Sequence, residues 1–395
     1  MTLGSPQPTV QEGKATFAVG NAFYRPQSAI ARDLAVLAAA VYRQRRGRLR
    51  VLDAMTGCGV RALRYGLEAG ADFVWANEGN PDLAATLADN LAPLPAATYR
   101  ITHQDANQVF FACSQQRDLY DLVDIDNFGG PTPYVTTGLW ATRLGGLLYL
   151  TSTDGRATSG HDPGGCLRTY GAYGRSHPAV HEQGLRLILG HAAQTAAARG
   201  LGLAPVFSLF TGQVHRVMVR LVRKPTLTEA NYGFVAYCHG CGHFQTVDWR
   251  HLGRVTCVCE SFQPGNAVPA ASNLVLSGPM WLGPIHDGAT LAAMAALAEG
   301  WNWPAQAQRL AVMAQEIDLP PYYYPLGELG RRGQMDIPNR DQLIAALQDR
   351  GHRAAIPSVD WQGVKTDATL GDCVAIAQAM ATQSPSGPQR APSKP

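Results

Sequence analysis

Along the first half of the chain, short apolar runs that end at an acid alternate with stretches whose apolar residues recur every three or four positions. Residues 49–52 form one such run, closed by Asp53, and the spacing of Val60, Leu63 and Leu67 then predicts a helix ending at Ala69-Gly70. A second run, 73–76, closes at Asn77-Glu78. Residues 99–102 lead to Asp105-Ala106, and 122–125 lead to Asp126-Asn127-Phe128-Gly129-Gly130-Pro131. A helix over about 133–143, a strand over 147–151, a helix over 180–190 and a last strand over 214–222 complete the series. Upstream, Ile30, Leu34, Leu37 and Val41 mark a helix over 28–42, with Ser28 placed as its N-cap. Strands alternating with helices predict a doubly wound parallel sheet, which takes its ligands at the carboxyl ends of the strands. Asp53, Glu78, Asp105 and Asp126 all fall there.

The turn 53–59 narrows the ligand. Gly57 and Gly59 let backbone approach a bound molecule where a Cβ would collide, and an acid ending the second strand, Glu78, can take both ribose hydroxyls. A dinucleotide site would show G-x-G-x-x-G; here only Gly57-x-Gly59 is present, with Ala62 in the third position. Asp53, four residues before the first glycine, favours a ligand with an amine over one with a pyrophosphate. S-adenosylmethionine (AdoMet) is therefore preferred to NAD, while a unit of this kind with no ligand at all stays open.

At 395 residues the chain is long enough for two domains. Its 46% hydrophobic and 16% charged content is that of a globular protein. No apolar run reaches about 18 residues and no signal peptide opens the chain, so a cytoplasmic protein without membrane attachment is expected. A net charge of +3 does not mark a nucleic-acid binder, although only four of the 33 basic residues are lysine and arginine suits phosphate and base contacts. The densest basic stretch, Arg43-Gln44-Arg45-Arg46-Gly47-Arg48-Leu49-Arg50, reads equally as an RNA contact or a solvated turn. Residues 1 to about 14 read as a loose arm, and 383–395 as a disordered tail.

Residues 223–226 resemble a linker, which divides the chain into 1–224 and 225–382. Beyond it, Cys238-x-x-Cys241 and Cys257-x-Cys259 supply four thiolates, the number tetrahedral zinc needs. A zinc ribbon over about 234–264 is expected, with His239 and His243 as substitute ligands and a metal-free ribbon as the alternative. Helical spacing returns from Thr290 to about 380.

Taken together these residues resemble the tRNA (guanine-26-N2)-dimethyltransferase family over about 10–370. The resemblance is carried by Glu12-Gly13-Lys14, Phe23-Tyr24-x-Pro26, Arg32-Asp33-Leu34, Thr56-Gly57-x-Gly59-x-Arg61 and Asp124-x-Asp126-x-Phe128-Gly129. It continues through Cys166-Leu167-Arg168-x-Tyr170-Gly171-Ala172-Tyr173, His181-Glu182, the cysteine pairs, Gly278-Pro279-Met280-Trp281-Leu282-Gly283, Tyr323-Tyr324 and Lys365-Thr366-Asp367-Ala368. It implies a Rossmann-like AdoMet-dependent methyltransferase domain followed by a smaller α+β tRNA-binding domain. The implied reaction places one or two methyl groups on the exocyclic amine of a tRNA guanine, by an enzyme expected to be monomeric. By the same resemblance Arg32 holds the cofactor carboxylate, Arg61 lies near the cofactor, Glu78 takes its ribose and Asp105 and Ala106 frame its adenine. Asp126, with Phe23 and Phe128, forms the base pocket.

The chemistry of those residue types agrees. A guanine amine has its lone pair delocalised into the ring, so a carboxylate accepting its hydrogen bond, helped by the Asn127 carbonyl, would turn that pair toward the methyl donor. Acceleration then comes mainly from alignment. The base must leave its stack and be held between rings, a task for Phe23 and Phe128 unless they are core residues. The chain departs from the family pattern at Asn127, where proline is usual, at Gly130 in place of serine, and at Ile356-Pro357-Ser358 in place of Arg-Thr-His. Methylation of another RNA, such as ribosomal RNA, and a noncatalytic RNA-binding role on the same fold are the alternatives.

Overall fold

The computed structural model describes residues 8–257, 259 and 273–383. The segment expected to be a loose arm is instead partly paired: β1 (Thr9–Glu12) and β2 (Ala15–Ala18) form an antiparallel hairpin, turned at Gly13 with φ +56°. Residues 1–7, 258, 260–272 and 384–395 lie outside the described residues, and with them the expected tail and the end of the ribbon. After a single 3-10 turn, α1 (Ala29–Arg46) runs to a left-handed Gly47. Ser28 ends that turn and stands at the N-cap position of α1, as expected, but its side chain makes no capping bond.

The central elements follow in order: β3 (Arg50–Asp53), α2 (Val60–Leu67), β4 (Phe73–Asn77), α3 (Ala84–Leu91), β5 (Tyr99–Thr102), α4 (Ala106–Gln116), β6 (Tyr120–Ile125), α5 (Thr132–Ala141) and β7 (Thr142–Ser152). Short α6 (Gly155–Thr158) and α7 (Pro163–Tyr170) precede α8 (Val180–Ala197), β8 (Gly202–Phe210) and β9 (His215–Val222). The sheet order is β5-β4-β3-β6-β7-β9-β8. The first five strands are parallel, but β9 is antiparallel to both β7 and β8, which corrects the expectation of a wholly parallel sheet. The reason is local. Only 211–214 join β8 to β9, closed by the Thr211 amide on the Val214 carbonyl at 3.1 Å, whereas a parallel crossover needs a dozen or more residues.

Period-two alternation buries both faces. Val123 and Ile125 of β6 pack with Val109 of α4, Leu139 of α5 and Leu185 of α8, while Leu122 joins Leu34 of α1, Leu63 of α2 and Leu87 of α3. The order reverses between β3 and β6, so their carboxyl ends open at the switch point where this class of sheet binds ligands.

The remainder folds back onto this sheet. Strands β10 (Tyr232–Cys238), β11 (Phe244–Val247) and β12 (Leu274–Trp281) make a small antiparallel sheet. Helices α9 (Gly288–Gly300) and α10 (Pro304–Gln315) return to α1, where Gln306 donates to Asp33 at 2.6 Å. Then come β13 (Tyr324–Pro325), α11 (Leu326–Gly333), α12 (Arg340–Asp349), β14 (Ala354–Ala355), β15 (Gly363–Thr366) and α13 (Leu370–Gln383). The stretch read as a linker is tied down: the Thr226 hydroxyl donates to the Leu203 carbonyl at 2.7 Å and accepts from its amide at 3.0 Å. One apolar cluster runs from Leu185 and Ile188 through Met280 and Trp281 to Tyr323 and Val364. Among the described residues no helix is long and apolar enough to cross a membrane.

Candidate active site

The strand-to-helix turn after β3 is held from three sides. The Thr56 hydroxyl donates to Asp53 Oδ2 at 2.5 Å, the Thr56 amide to the Asn77 carbonyl at 2.9 Å, and the Gly57 amide to Glu78 Oε2 at 2.8 Å. Gly57 has φ +58°, and a Cβ there would meet nothing closer than the Phe23 carbonyl oxygen at 4.0 Å. The glycine is thus demanded by backbone conformation, and the space above it is open. At Gly59, φ +84°, a Cβ would come within 2.6 Å of Leu87, so this second glycine lets α2 pack on α3. Glu78, partly exposed beside the turn, also accepts the Asn80 amide at 2.9 Å. Asp105 is exposed and caps α4 through the Asn107 and Gln108 amides, with Ala106 buried behind it.

Next to this turn lies a buried cluster of acids and guanidinium groups. Arg61 of α2 bridges Asp124 at 3.0 Å and Asp126 at 2.6 Å, and Tyr65 donates to Asp124 at 2.7 Å. Arg216, from β9, approaches the other Asp126 oxygen at 3.5 Å. Burial alone would raise the Asp126 carboxyl, but Arg61 and then Arg216 outweigh it and hold its pKa at about 2. Asp126 is therefore an ionised, acceptor-only group whose side chain is 28% exposed. Asp53 and Asp124 go the other way: burial raises both, Asp124 adds its charge against Asp53, and Arg61 only partly offsets the effect.

Several polar atoms in this region are buried without a partner: Asp53 Oδ1, Asp124 Oδ1, Asn127 Oδ1, and Nε and Nη1 of Arg216. Native interiors rarely leave such atoms unpaired except at functional sites. The unpaired oxygens of Asp53 and Asp124 beneath an open glycine turn offer hydrogen-bond acceptors to a ligand that carries donors, such as the amine of AdoMet.

Phe23 and Phe128 are 65% and 74% exposed, which removes the core alternative, and their rings meet edge to face at 5.2 Å between centroids. They bring the loop over Gly57 and the loop after Asp126 together. Asn127, in the usual proline position, spends its side-chain amide on the Phe128 and Gly130 carbonyls, both at 2.9 Å, and so closes the turn by hydrogen bonds. Gly129, at φ +78°, is pinned to Thr153 by its amide at 2.8 Å.

Arg32, which the resemblance assigns to the cofactor carboxylate, is tied to the N-terminal hairpin. It is buried, with Nε held by Glu12 at 2.7 Å and Nη2 by the same carboxylate. Glu12 also accepts from Arg64 at 2.6 Å and from the Tyr24 hydroxyl at 3.0 Å. This cluster ties the β1–β2 hairpin to α1 and α2 and so fixes the loop that carries Phe23. The sequence reading missed Arg216, and it named Asp124 and Glu12 without giving either a role. Arg216 had one readable signal, a charge inside the run 214–219, which is otherwise apolar except for His215.

At the far end, Cys238, Cys241, Cys257 and Cys259 gather their sulfurs within 4.8 Å of one another. The separations include 3.5 Å between Cys238 and Cys259, and 3.3 Å between Cys241 and Cys257. Four thiolates around zinc at about 2.3 Å sit roughly 3.8 Å apart, so the donors fit a tetrahedral ion. Four cysteines complete the set, and neither His239 nor His243 is in it.

The family model described as N2,N2-dimethylguanosine tRNA methyltransferase matches residues 4–378. A tRNA (guanine(26)-N(2))-dimethyltransferase of Pyrococcus horikoshii is 28% identical over 388 residues, covering 91% of this chain and 95% of that protein. The enzyme of the same name from Aeropyrum pernix is 29% identical, with 94% and 92% covered. Among solved structures, Trm1 from Pyrococcus horikoshii in complex with S-adenosyl-L-methionine is similar, with a TM-score of 0.79, 26% identity, and 93% of this chain and 99% of that one covered.

Proposed function

This chain belongs to the N2,N2-dimethylguanosine tRNA methyltransferase family, and from that premise we propose that it is an AdoMet-dependent enzyme that methylates the exocyclic N2 of guanine 26 in tRNA, once or twice. AdoMet, when bound, supplies an electrophilic methyl group. Glu78 and the Gly57 turn would offer it ribose acceptors and open backbone, Asp53 would accept from its amine, and Asp105 with Ala106 would border its adenine.

The residues of this chain do the rest. Phe23 and Phe128 are exposed rings that an extruded guanine can stack against. Asp126 accepts a hydrogen bond from the guanine amine and orients its lone pair. As the N–C bond forms and the donor's S–C bond breaks, the amine's proton passes along that hydrogen bond to Asp126 and on to solvent. A carboxylate held at about pKa 2 is a weak base, so its contribution is orientation and charge rather than prior deprotonation. Arg61 and Arg216 keep it ionised and fixed. The observation that carries this reading is the clamped Asp126 beside two exposed phenyl rings at the switch point of the sheet.

Zinc held by Cys238, Cys241, Cys257 and Cys259 would be structural, with no open coordination position. Residues 225–382 would form the tRNA-gripping part. All eight cysteines are unpaired, in keeping with a reducing cytoplasm, and a monomer suffices for the site as drawn.

Mass spectrometry of nucleosides from tRNA incubated with enzyme and AdoMet tests the function. N2-methylated guanosine at position 26, absent when that position is adenosine, is expected. Unmodified tRNA, or product formed only on ribosomal RNA, would overturn it.

A further inference from the structure

The fold divides the basic run 43–50 into two groups. Arg43 pairs with Asp72 at 2.8 Å, Arg48 reaches Asp121 at 3.7 Å, and Arg50 pairs with Asp118 at 2.6 Å. Arg45 and Arg46 form no ion pair among the described residues. Arg45 is steadied by the Thr290 hydroxyl at 3.2 Å and the Ala289 carbonyl at 3.1 Å. Both line a pocket of about 180 Å³ whose third guanidinium is Arg220 of β9 and whose walls include Val41, Leu147 and Val206.

The charges there do not balance. Burial disfavours the Arg220 cation, Asp287 favours it, and the like charges of Arg45 and Arg46 disfavour it again. Asp287 is partly committed elsewhere, since its Oδ1 accepts the Thr290 amide at 2.8 Å as the cap of α9. Asp121 is engaged by Arg48, by Arg143 at 3.2 Å, and by the Tyr42 hydroxyl at 3.1 Å. Three guanidinium groups against Asp287 leave two positive charges, which a phosphate dianion would match. Arginine forks suit phosphate oxygens.

The pocket is separate from the methyl-transfer centre. Arg220 pairs with Leu147 and His215 with Ser152 along β7, so the two ends lie five residues apart, roughly 17 Å. AdoMet carries no phosphate and is not the occupant.

We propose that Arg45, Arg46 and Arg220 form a phosphate-binding pocket at the amino ends of the parallel strands, which grips one phosphate of an RNA backbone or of a free phosphorylated ligand. The RNA form of this assignment depends on the function proposed above; the phosphate form does not. Thermal unfolding of the full chain in inorganic phosphate, against chloride at equal ionic strength, tests the pocket without any need for activity. Wild type is stabilised by phosphate, and Arg46→Ala and Arg220→Gln lose that response. Arg46 is exposed, so its variant folds even if the Arg220 variant does not.

Direct titration with tRNA separates the two sources. A Kd three- to tenfold weaker in Arg46→Ala, with a salt slope reduced by about one, identifies the RNA backbone. An unchanged tRNA affinity with a lost phosphate response identifies a free phosphorylated ligand. A phosphate response that is absent from wild type or intact in Arg46→Ala overturns the pocket, whatever tRNA binding does.

Discussion

Asp126 is held by two guanidinium groups at unequal range, 2.6 Å to Arg61 and 3.5 Å to Arg216. Its depressed pKa means that its ion pairing stabilises the fold above its unfolded pKa near 4 and that this contribution is lost as pH falls toward 2. Methyl transfer by wild type should accordingly show no acid limb from this group above about pH 4. Arg216→Met leaves burial less opposed, so a limb should move up by roughly one to two pH units, and Arg216→Lys should restore the profile. A profile unchanged in Arg216→Met would remove Arg216 from the account. The phenyl rings make a separate claim. Phe23→Ala and Phe128→Ala should each weaken productive tRNA binding by about 1–3 kcal/mol, roughly 5- to 150-fold, as stacked bases do. Both are exposed, so AdoMet affinity and stability should hold; a loss of stability instead would make them structural.

At the scale of elements, the legible parts were those whose residues interact with close sequence neighbours. The β3–α2–β4 unit, the acids at the strand ends and the cysteine pairs are local patterns, and each was found near its observed position. The hairpin β8–β9 was half missed because its direction is decided by a four-residue turn. Helices α3 and α4 went unread because few of their positions are buried: Leu87, Asn90 and Leu91 in α3, and Ala106, Val109, Phe110 and Cys113 in α4. The pairing of Arg32 with Glu12 was illegible for another reason: they meet across 20 residues and two elements. Arg216 and Asp126 are 90 residues apart and meet only when β9 lies beside β7. The cysteine pairs were readable because metal geometry constrains their spacing. Elemental analysis should find one zinc per chain, and Cys257→Ser should lower both zinc content and thermal stability. A folded, fully stable, metal-free protein would contradict this.

At the scale of the whole molecule, the two halves share polar as well as apolar contacts. Glu182 of α8 accepts from Arg186 at 2.9 Å and from Lys365 of β15 at 2.7 Å, and Lys365 also faces Glu316 at 3.4 Å. Arg186 reaches across to the Trp281 and Gly283 carbonyls at 3.0 and 2.8 Å. Removing one cation from such a buried set leaves uncompensated charge, so Lys365→Met should cost about 3 kcal/mol or more in urea unfolding. The loss should appear as a shift of one cooperative transition; two resolved transitions would show that the halves fold independently. The catalytic claim is tested most directly with Asp126→Asn, which keeps the side-chain shape and removes the charge. Single-turnover methyl transfer to tRNA, measured beside calorimetric binding of S-adenosylhomocysteine, should fall roughly 10²- to 10³-fold while cofactor affinity stays within a few-fold. A variant that binds cofactor normally and keeps most of its rate would contradict the role given to Asp126.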